Sequence, residues 1–351
     1  MAVTIEQLIA SAEQHEASDL FITEGCVGRA KIGGRIMVLG DDRVEKDDMA
    51  SFWRECGADP DTDWDKDAAY ESGDGIRFRV NLHRTMGRLS AVLRQIRTQV
   101  PNMESLGLPE SLLVDWMSRP SGFVLVTGAT GCGKSTTLAS CLEWVNCNMA
   151  RHIVTIEDPA EFLFENKQSF FTQREVHTDT DSFAKGLRSA LRQAPHIIFV
   201  GEIRDAETAT IALQAAETGH LVLATLHSSH VTDTLERLTN LFPAAERDAA
   251  LLLLSGQLIG ILSQQLLPGA DGTSLTLVCE HLQNSGATRD WIREVRLPEI
   301  GEFLRRRDDP ANRNFLRSLV EAVQEGRITH ETGEASAWNA HEFNRALRGV
   351  Y

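Results

Sequence analysis

A glycine-rich stretch near the middle of the chain has the residue types and spacing of a phosphate-binding loop. Residues 128–135 read G-A-T-G-C-G-K-S, which fits the pattern G-x-x-x-x-G-K-[ST]. The apolar residues 123–126 precede it and predict a buried strand, and a helical pattern opens at Lys134. Small residues let backbone N–H groups turn onto phosphate oxygens, and the helix adds the positive end of its dipole. We therefore expect Lys134 to reach the β- and γ-phosphates of a nucleotide and the Ser135 hydroxyl to bind Mg²⁺.

Acidic residues follow two further predicted strands at the point where each strand ends. The apolar run 153–156 leads into a segment that contains Glu161, and the run 196–200 leads to Glu202. The carboxyl ends of parallel strands meet at the sheet edge where a phosphate-binding loop also lies. One carboxylate is needed there to hold the metal, usually through its water shell, and another to orient or deprotonate the attacking water. For any single acid, a helix cap or a surface ion pair is the alternative.

Two histidines flank the predicted strand 221–226. His220 precedes the strand and His227 follows it, so the two rings lie at opposite ends. Because the carboxyl end of the strand faces the phosphate edge, His227 is the better site candidate of the two.

Charge is unevenly distributed along the first hundred residues. Residues 41–74 carry thirteen acidic and four basic side chains, whereas residues 76–97 carry six arginines and no acid. The period-two pattern of residues 77–84 predicts a strand with its arginines on one face, and a second strand carrying Arg94 follows. Such a sheet face favours an anionic partner. A solvated basic face, or self-association with the acidic segment of another copy, are the alternatives.

The elements around these residues predict two regions. A helix from Ile5 onwards and strands that include a hairpin turn at Gly33 and Gly34 indicate a small α+β unit. Residues 99–109 contain two prolines and little periodicity, and they indicate a domain boundary. Strands and helices then alternate, which predicts a mostly parallel, RecA-like sheet with helices on both faces. Beyond Pro243 the pattern is mainly helical, and the apolar run 249–262 favours a buried helix.

Composition narrows the class of protein. A length of 351 residues with 42% hydrophobic side chains leaves room for about two domains. The formal net charge of −15 argues against a nucleic-acid partner. No stretch has the pattern of a signal peptide or the length of a membrane span, and the six cysteines form no C-x-x-C pair. We expect a soluble, cytosolic protein with reduced thiols.

The combination of motifs resembles the secretion-superfamily ATPases and, within them, the PilT-type retraction motors of type IV pili. The resemblance covers nearly the whole chain and rests on five motifs beyond the phosphate-binding loop, which read TIEDPAE at 155–161, QREVH at 173–177, LRSALR at 187–192, VGEIRD at 200–205 and TGHLVLATLH at 218–227. The arginine hairpin around Arg79 and Arg94 is similar too. Ala129 and Cys132 depart from the usual loop residues. Residues 287–294 are similar to a diverged form of the AIRNLIRE motif of retraction ATPases.

This resemblance implies an α/β chain in two domains, a PAS-like α+β domain at 1–100 and a RecA-like ATPase domain with a helical C-terminal region at 111–351, joined by a linker at 101–110. It implies a homo-hexamer that uses ATP and Mg²⁺, docks on an inner-membrane pilus platform protein at the cytoplasmic face, and has a paralogous ATPase as a further candidate partner. The implied nucleotide-binding residues are Gly128, Thr130, Gly131, Gly133, Lys134, Ser135 and Thr136.

The resemblance also implies roles for the remaining candidates. Glu161 is the implied catalytic carboxylate, and Glu202 is the implied ligand of the Mg²⁺ water shell. Arg79 and Arg94 are implied to reach the nucleotide of the adjoining subunit, and His227 lies in the family's histidine motif.

Other functions remain open on the sequence. An extension ATPase is disfavoured because the longer N-terminal region and four-cysteine zinc insert of that class are missing from this sequence. A motor of a type IV secretion or conjugation system, of the DotB kind, is a further reading. A different class from these motor enzymes is an accessory paralogue, which holds nucleotide and barely turns it over. A RecA-like nucleic-acid helicase is disfavoured by the net charge.

Overall fold

The computed structural model describes residues 3–15, 17–32, 35–73, 75–305, 309 and 311–349. The chain divides into two compact units, Met1–Thr98 with Glu161–Leu163, and Gln99–Ala160 with Phe164–Tyr351. The predicted linker, residues 101–110, is grouped with the second unit, where Met103 and Leu108 are buried in the core. The domain boundaries given above stay a prediction.

Over its described residues, the first unit is a six-stranded antiparallel sheet with two helices. Its elements are α1 (Ile5–Gln14), β1 (Asp19–Thr23), β2 (Val27–Ile32), β3 (Arg35–Arg43), α2 (Lys46–Glu55), β4 (Asp65–Glu71), β5 (Arg77–Thr85) and β6 (Arg88–Gln95). The strands lie in the order β3-β2-β1-β6-β5-β4. Helix α1 begins with a capping box between Thr4 and Gln7, as its sequence predicts. The turn predicted at Gly33 and Gly34 lies outside the described residues.

The β5–β6 hairpin carries the predicted arginine face. The apolar residues of β5 are buried and Arg79 is exposed, as the period-two pattern predicts. The turn consists of Met86 and Gly87, whose φ angles of 49° and 80° are those of a type I′ two-residue hairpin. This turn fixes the strand register, and the register places Arg79 directly opposite Arg94.

The second unit is built around a mostly parallel sheet of seven strands in the described part of the chain. Its elements are α3 (Glu110–Met117), β7 (Gly122–Thr127), α4 (Lys134–Asn148), β8 (His152–Glu157), β9 (Phe170–Glu175), α5 (Phe183–Ala190), β10 (Ile197–Val200), α6 (Ala206–Glu217), β11 (Leu221–Leu226), α7 (Val231–Leu241), α8 (Ala244–Gln257), β12 (Leu258–Pro268), β13 (Leu275–Gln283), α9 (Gly286–Arg293), α10 (Leu297–Leu304), α11 (Phe315–Gln324), α12 (His330–Ser336) and α13 (Ala340–Leu347). The strand order is β13-β12-β7-β11-β10-β8-β9.

Alternate residues of the central strand β7 face two different cores. Phe123 and Leu125 belong to one cluster of buried side chains, and Val124 and Val126 belong to the other. Among the named pairs of this sheet, β12 and β13 are antiparallel and the rest are parallel. A parallel sheet covered on both faces is the RecA-like arrangement, so the predicted fold class is confirmed.

The prediction of a mainly helical chain beyond Pro243 is wrong for residues 258–283. Helix α8 ends at Gln257, and the apolar run continues as strand β12, which pairs with β7 and β13. A strand buried on both faces has no polar alternation, so its apolar run is indistinguishable from a buried helix by periodicity. Gly260 within this strand is required by packing, because a Cβ there would overlap the Trp116 ring and come within 2.7 Å of the Leu282 carbonyl oxygen.

The remaining C-terminal elements are helical, as predicted. Side chains of α11 and α13 form a separate core with Leu267 of β12 and Val278 of β13. In the described part of the chain, every helix is too short or too polar to cross a lipid bilayer.

Candidate nucleotide-binding site

The loop between β7 and α4 requires glycine at fixed positions. Gly128 has φ 147°, and a Cβ there would collide with the Gln264 carbonyl oxygen and lie 2.5 Å from the Cys132 sulfur. Gly131 and Gly133 have φ 80° and 89°, in the left-handed region that favours glycine, and Gly133 caps α4. The glycine spacing of this loop thus follows from its backbone geometry as well as from phosphate binding.

Lys134 lies at the start of α4 and is buried. Its Nζ donates to the carbonyl oxygens of Gly128 at 3.0 Å and Ala129 at 2.9 Å, and it lies 3.3 Å from Nδ1 of His227. Ser135 and Thr136 follow in the first turn of the helix, where the positive end of the helix dipole favours an anion. The Thr130 hydroxyl lies 3.5 Å from the same histidine nitrogen. The structure therefore brings the predicted loop residues and His227 together.

Glu202 connects His227 to a second pair of charges. Its Oε1 lies 3.3 Å from Nε2 of His227, and its Oε2 accepts from Nε of Arg204 at 2.8 Å. Arg204 also reaches the Asp158 carboxylate at 3.3 Å. Five side chains thus form a continuous series of polar contacts, which we call the charge chain: Lys134, His227, Glu202, Arg204 and Asp158.

One protonation state of His227 satisfies both of its neighbours. Burial, and then the positive charge of Lys134, lower the pKa of His227 below its ordinary value, although Glu202 acts in the opposite direction. The ring is therefore neutral at pH 7. A neutral ring whose Nδ1 accepts from Lys134 carries its proton on Nε2 and donates it to Glu202. His227 thus accepts from Lys134 through Nδ1 and donates to Glu202 through Nε2.

The oxygen donors near the loop suit Mg²⁺. The carboxylate of Glu202, whose side chain is 16% exposed, and the hydroxyl of Ser135 are hard oxygen ligands, which this ion prefers. Mg²⁺ is commonly held by one or two protein groups together with substrate phosphates, so two donors are enough. The donor set fits the ion that the sequence predicts.

Glu161 is grouped with the first unit. Its backbone carbonyl accepts a hydrogen bond from Arg97 N at 3.2 Å, and Leu163 N donates to Arg97 O at 2.9 Å. The Glu161 side chain is exposed. Its role as the catalytic base stays a prediction.

Arg79 and Arg94 also lie in the first unit, on neighbouring strands. Arg94 forms an ion pair with the buried Asp19, at 2.7 Å from Nη2 to Oδ1. Arg79 is exposed. His220, the disfavoured histidine, lies at the other end of β11, where Nδ1 is 2.9 Å from the Ala215 carbonyl oxygen.

Sequence reasoning missed three residues of this region. Arg204 and Asp158 lie just past strand ends, so the argument that selected Glu202 could have included them. Gln264 had no comparable pattern, because β12 was not predicted. Its side chain accepts from the Thr137 hydroxyl at 2.9 Å and donates to the Cys132 carbonyl at 2.6 Å, and it therefore braces the loop against the sheet.

Comparison with known proteins extends this picture. A family model described as type II/IV secretion system protein matches residues 68–304. The type IV pilus ATPase PilU of Pseudomonas aeruginosa is 35% identical over 98% of this chain and 91% of its own length. The type IV pilus retraction ATPase PilT of the same bacterium is 36% identical over 95% of this chain and 98% of its own. A crystal structure of the pilus retraction motor PilT with bound ADP has a TM-score of 0.89 and 36% identity, covering 98% of this chain and 99% of that chain.

Fold and site together define a P-loop ATPase of the RecA-like class. The family match covers more than half of the chain, and two relatives above 30% identity are matched over nearly their full length. The chain belongs to the type II/IV secretion system protein family, and its predicted resemblance to PilT-type ATPases is confirmed.

Proposed function

We propose that this chain is the subunit of a homo-hexameric ATPase that retracts a type IV pilus and thereby drives twitching motility. The charge chain carries the proposal, because it joins the loop lysine through His227 to Glu202 with separations of 3.3 Å at both steps. A phosphate-binding cation and a metal-holding carboxylate that converge beside a glycine loop suit the binding of a nucleoside triphosphate. The likeness to PilT and PilU over almost the full chain supports the role in pilus retraction.

Each residue of the phosphate edge has a proposed role. Backbone N–H groups of the loop and Lys134 bind the phosphates. His227 lies between Lys134 and Glu202 and contacts both. Ser135 and Glu202 hold Mg²⁺, with Glu202 acting through the water shell. When bound, this ion neutralises charge on the phosphate oxygens. Glu161 orients or deprotonates the attacking water.

The arginines of the first unit complete the site of a neighbouring copy. In this proposal, Arg79 and Arg94 contact the triphosphate bound by the adjoining subunit of the hexamer. Cationic groups aimed at the transferred phosphoryl group stabilise its charge in the transition state. A contact that forms only when subunits close would couple hydrolysis to movement.

The remaining partners follow from the proposed task. A retraction motor acts from the cytoplasm at the inner face of the cytoplasmic membrane, where it would dock on the platform protein of the pilus machine. A paralogous ATPase is the other candidate partner.

Lys134→Ala is the direct test of the proposed ATPase. We expect phosphate release to fall by at least about 100-fold, because the loop loses its phosphate-binding charge. Lys167→Ala is the matched control, since that lysine is exposed and pairs with Glu143. The proposal also predicts that a strain producing the Lys134→Ala protein loses twitching while the Lys167→Ala strain twitches normally. Equal turnover by the two variants would refute the proposal.

An accessory role, in which the chain holds nucleotide and barely turns it over, is the second candidate. The two functions differ in what the protein does alone. A motor hydrolyses ATP as a purified protein and restores retraction in a strain with no other retraction ATPase. An accessory subunit restores retraction only when a second ATPase is present.

A further inference from the structure

Four charged residues form a row across neighbouring strands of the first unit. Lys31 on β2 is the register partner of Asp19 on β1, Asp19 is the partner of Arg94 on β6, and Arg94 is the partner of Arg79 on β5. Register partners point to the same face of a sheet. We call this set the arginine row. It contains three cations and one anion, so its formal charge is positive.

Asp19 is held in its charged form inside this row. Its side chain is 6% exposed, and burial acts to raise its pKa. Hydrogen bonds from Ser18 and Arg94 outweigh that effect, so the pKa of Asp19 lies below its ordinary value. The carboxylate is therefore ionised at neutral pH. A buried carboxylate in this state holds the Arg94 guanidinium in place through their opposite charges.

The geometry of the ion pair orients Arg94 without using all of its donors. Nε and Nη2 both contact Oδ1 of Asp19, at 2.8 Å and 2.7 Å, while the Ser18 hydroxyl donates to Oδ2 at 2.8 Å. The Arg94 side chain is still 66% exposed. Its Nη1 is left with its donors directed away from the carboxylate. The ion pair already orders the long Arg94 side chain, so binding of a ligand to Arg94 costs less conformational entropy.

Arg79 differs from Arg94 in this respect. Within the described residues its guanidinium forms no ion pair or hydrogen bond, and its side chain is exposed. Two cations on directly opposite strand positions repel each other. An anion placed between them would remove this repulsion and would order Arg79.

We propose that Asp19 is a positioning residue that presets Arg94 as a fixed donor to a phosphate oxygen, while Arg79 is the arginine that moves to close on the same anion. The inference rests on the proposed function, in which the anion is the triphosphate bound by a neighbouring copy. The different roles follow from the structure: the two arginines lie on opposite strand positions, and among the described residues a carboxylate pairs with Arg94 and none pairs with Arg79.

The test is a set of single and double variants assayed for ATP turnover in the full-length oligomer. Asp19→Asn keeps the shape of the side chain and removes its charge. We expect kcat to fall about 10-fold with little change in KM, a loss typical of residues that support a functional group from behind. In an Arg94→Ala background, Asp19→Asn should have no further effect, whereas in an Arg79→Ala background it should keep its full effect.

Two further variants separate positioning from folding. Asp67→Asn is the matched control on the same sheet, because Asp67 accepts a hydrogen bond from Asn81 and is not part of the row. It should leave kcat unchanged. Ser18→Ala removes only the hydroxyl behind Asp19 and should lower kcat about 2-fold in the same direction. Ser18→Ala also carries the test if Asp19→Asn does not fold.

The outcomes separate this inference from the proposed function. If Arg94→Ala lowers turnover but Asp19→Asn and Ser18→Ala do not, the positioning role of Asp19 is wrong and the proposed function stands. An equal effect of Asp19→Asn with and without Arg94 shows a structural role only and also overturns the inference. If neither Arg79→Ala nor Arg94→Ala changes turnover, both the inference and the proposed role of the arginines fail.

Discussion

The charge chain of the second unit and the arginine row of the first unit differ in how completely their charged groups are paired. In the charge chain each cation contacts a carboxylate, a backbone carbonyl or the neutral His227 ring, and Glu202 has both oxygens engaged. In the arginine row, one carboxylate faces three cations, and the Arg79 guanidinium forms no ion pair or hydrogen bond within the described residues. A nucleotide at the charge chain must therefore exchange existing partners. An anion at the arginine row supplies charge that the row lacks.

This difference assigns a different task to each region. Exchange of partners makes binding sensitive to the geometry of phosphate and metal, because a poor fit leaves buried charges unpaired. A site with excess positive charge attracts an anion mainly through its charge, and its affinity depends less on the shape of the anion. We infer that the second unit selects the nucleotide and the first unit reports that a neighbouring site is filled.

The largest expected effect comes from breaking the centre of the charge chain. Glu202→Gln removes the carboxylate that contacts both His227 and Arg204. We expect kcat to fall about 100-fold and the Mg²⁺ requirement to rise, because an amide is a weaker ligand than a carboxylate. Steady-state turnover across a Mg²⁺ titration measures both quantities. The control is Glu207→Gln, an exposed acid paired with Arg188, and equal behaviour of the two variants would contradict the account.

Arg204→Gln is expected to have a smaller effect, and to change the Mg²⁺ requirement in the opposite direction from Glu202→Gln. Arg204 occupies Oε2 of Glu202 and reaches Asp158, so it competes with a metal for the carboxylate. Its removal should lower the Mg²⁺ concentration at half-maximal turnover by about 3-fold to 10-fold. Arg188→Gln is the matched control, because the two arginine side chains are 56% and 52% exposed. An unchanged or raised Mg²⁺ midpoint in Arg204→Gln would show that Arg204 does not compete.

The smallest effect concerns another paired charge of the second unit. His230 lies 3.9 Å from the buried Glu280 carboxylate, which also accepts from Val231 N at 2.7 Å. The neighbouring Glu280 carboxylate raises the pKa of His230 above its ordinary value of 6.5, burial opposes this, and the charge of Asp233 adds to the rise. The pair therefore stabilises the fold fully below the unfolded-state pKa, and this contribution is lost as pH rises through the folded-state pKa.

His230→Gln should accordingly lower Tm more at pH 6 than at pH 9. Thermal unfolding at the two pH values measures the difference. In a Glu280→Gln background the effect of His230→Gln should depend less on pH, because the carboxylate that raises the pKa of His230 most is gone. A larger loss of Tm at pH 9 than at pH 6 would reverse the predicted sign.

The sequence predicted those parts of the molecule whose patterns are local. The glycine loop and the alternation of β5 each depend on neighbouring residues, and the structure has them where expected. Strand β12 was missed because an apolar run buried on both faces has no distinguishing period. Strands β8 and β10 were predicted from the short runs 153–156 and 196–200, each of which leads into a segment that contains an acid.

The parts that could not be predicted depend on pairing between distant residues. Asp19 and Arg94 are 75 positions apart and meet through strand register, which a single sequence does not reveal. The grouping of Glu161–Leu163 with the first unit depends on hydrogen bonds to Arg97. The sequence predicted that Glu202 and His227 lie at the same edge of the sheet. It did not predict that Glu202 contacts both His227 and Arg204.

Mixing two inactive variants tests most directly the claim that one copy's arginines serve another copy's nucleotide. One variant is Lys134→Ala, which keeps both arginines, and the other is Arg79→Ala with Arg94→Ala, which keeps the loop lysine. If the arginines act on a neighbouring subunit, random mixed rings contain complete sites, and turnover should return to roughly a quarter of the wild-type value per site. If tagged subunits show that mixed rings form and turnover stays at the level of the separate variants, the arginines do not act between copies and the account is contradicted.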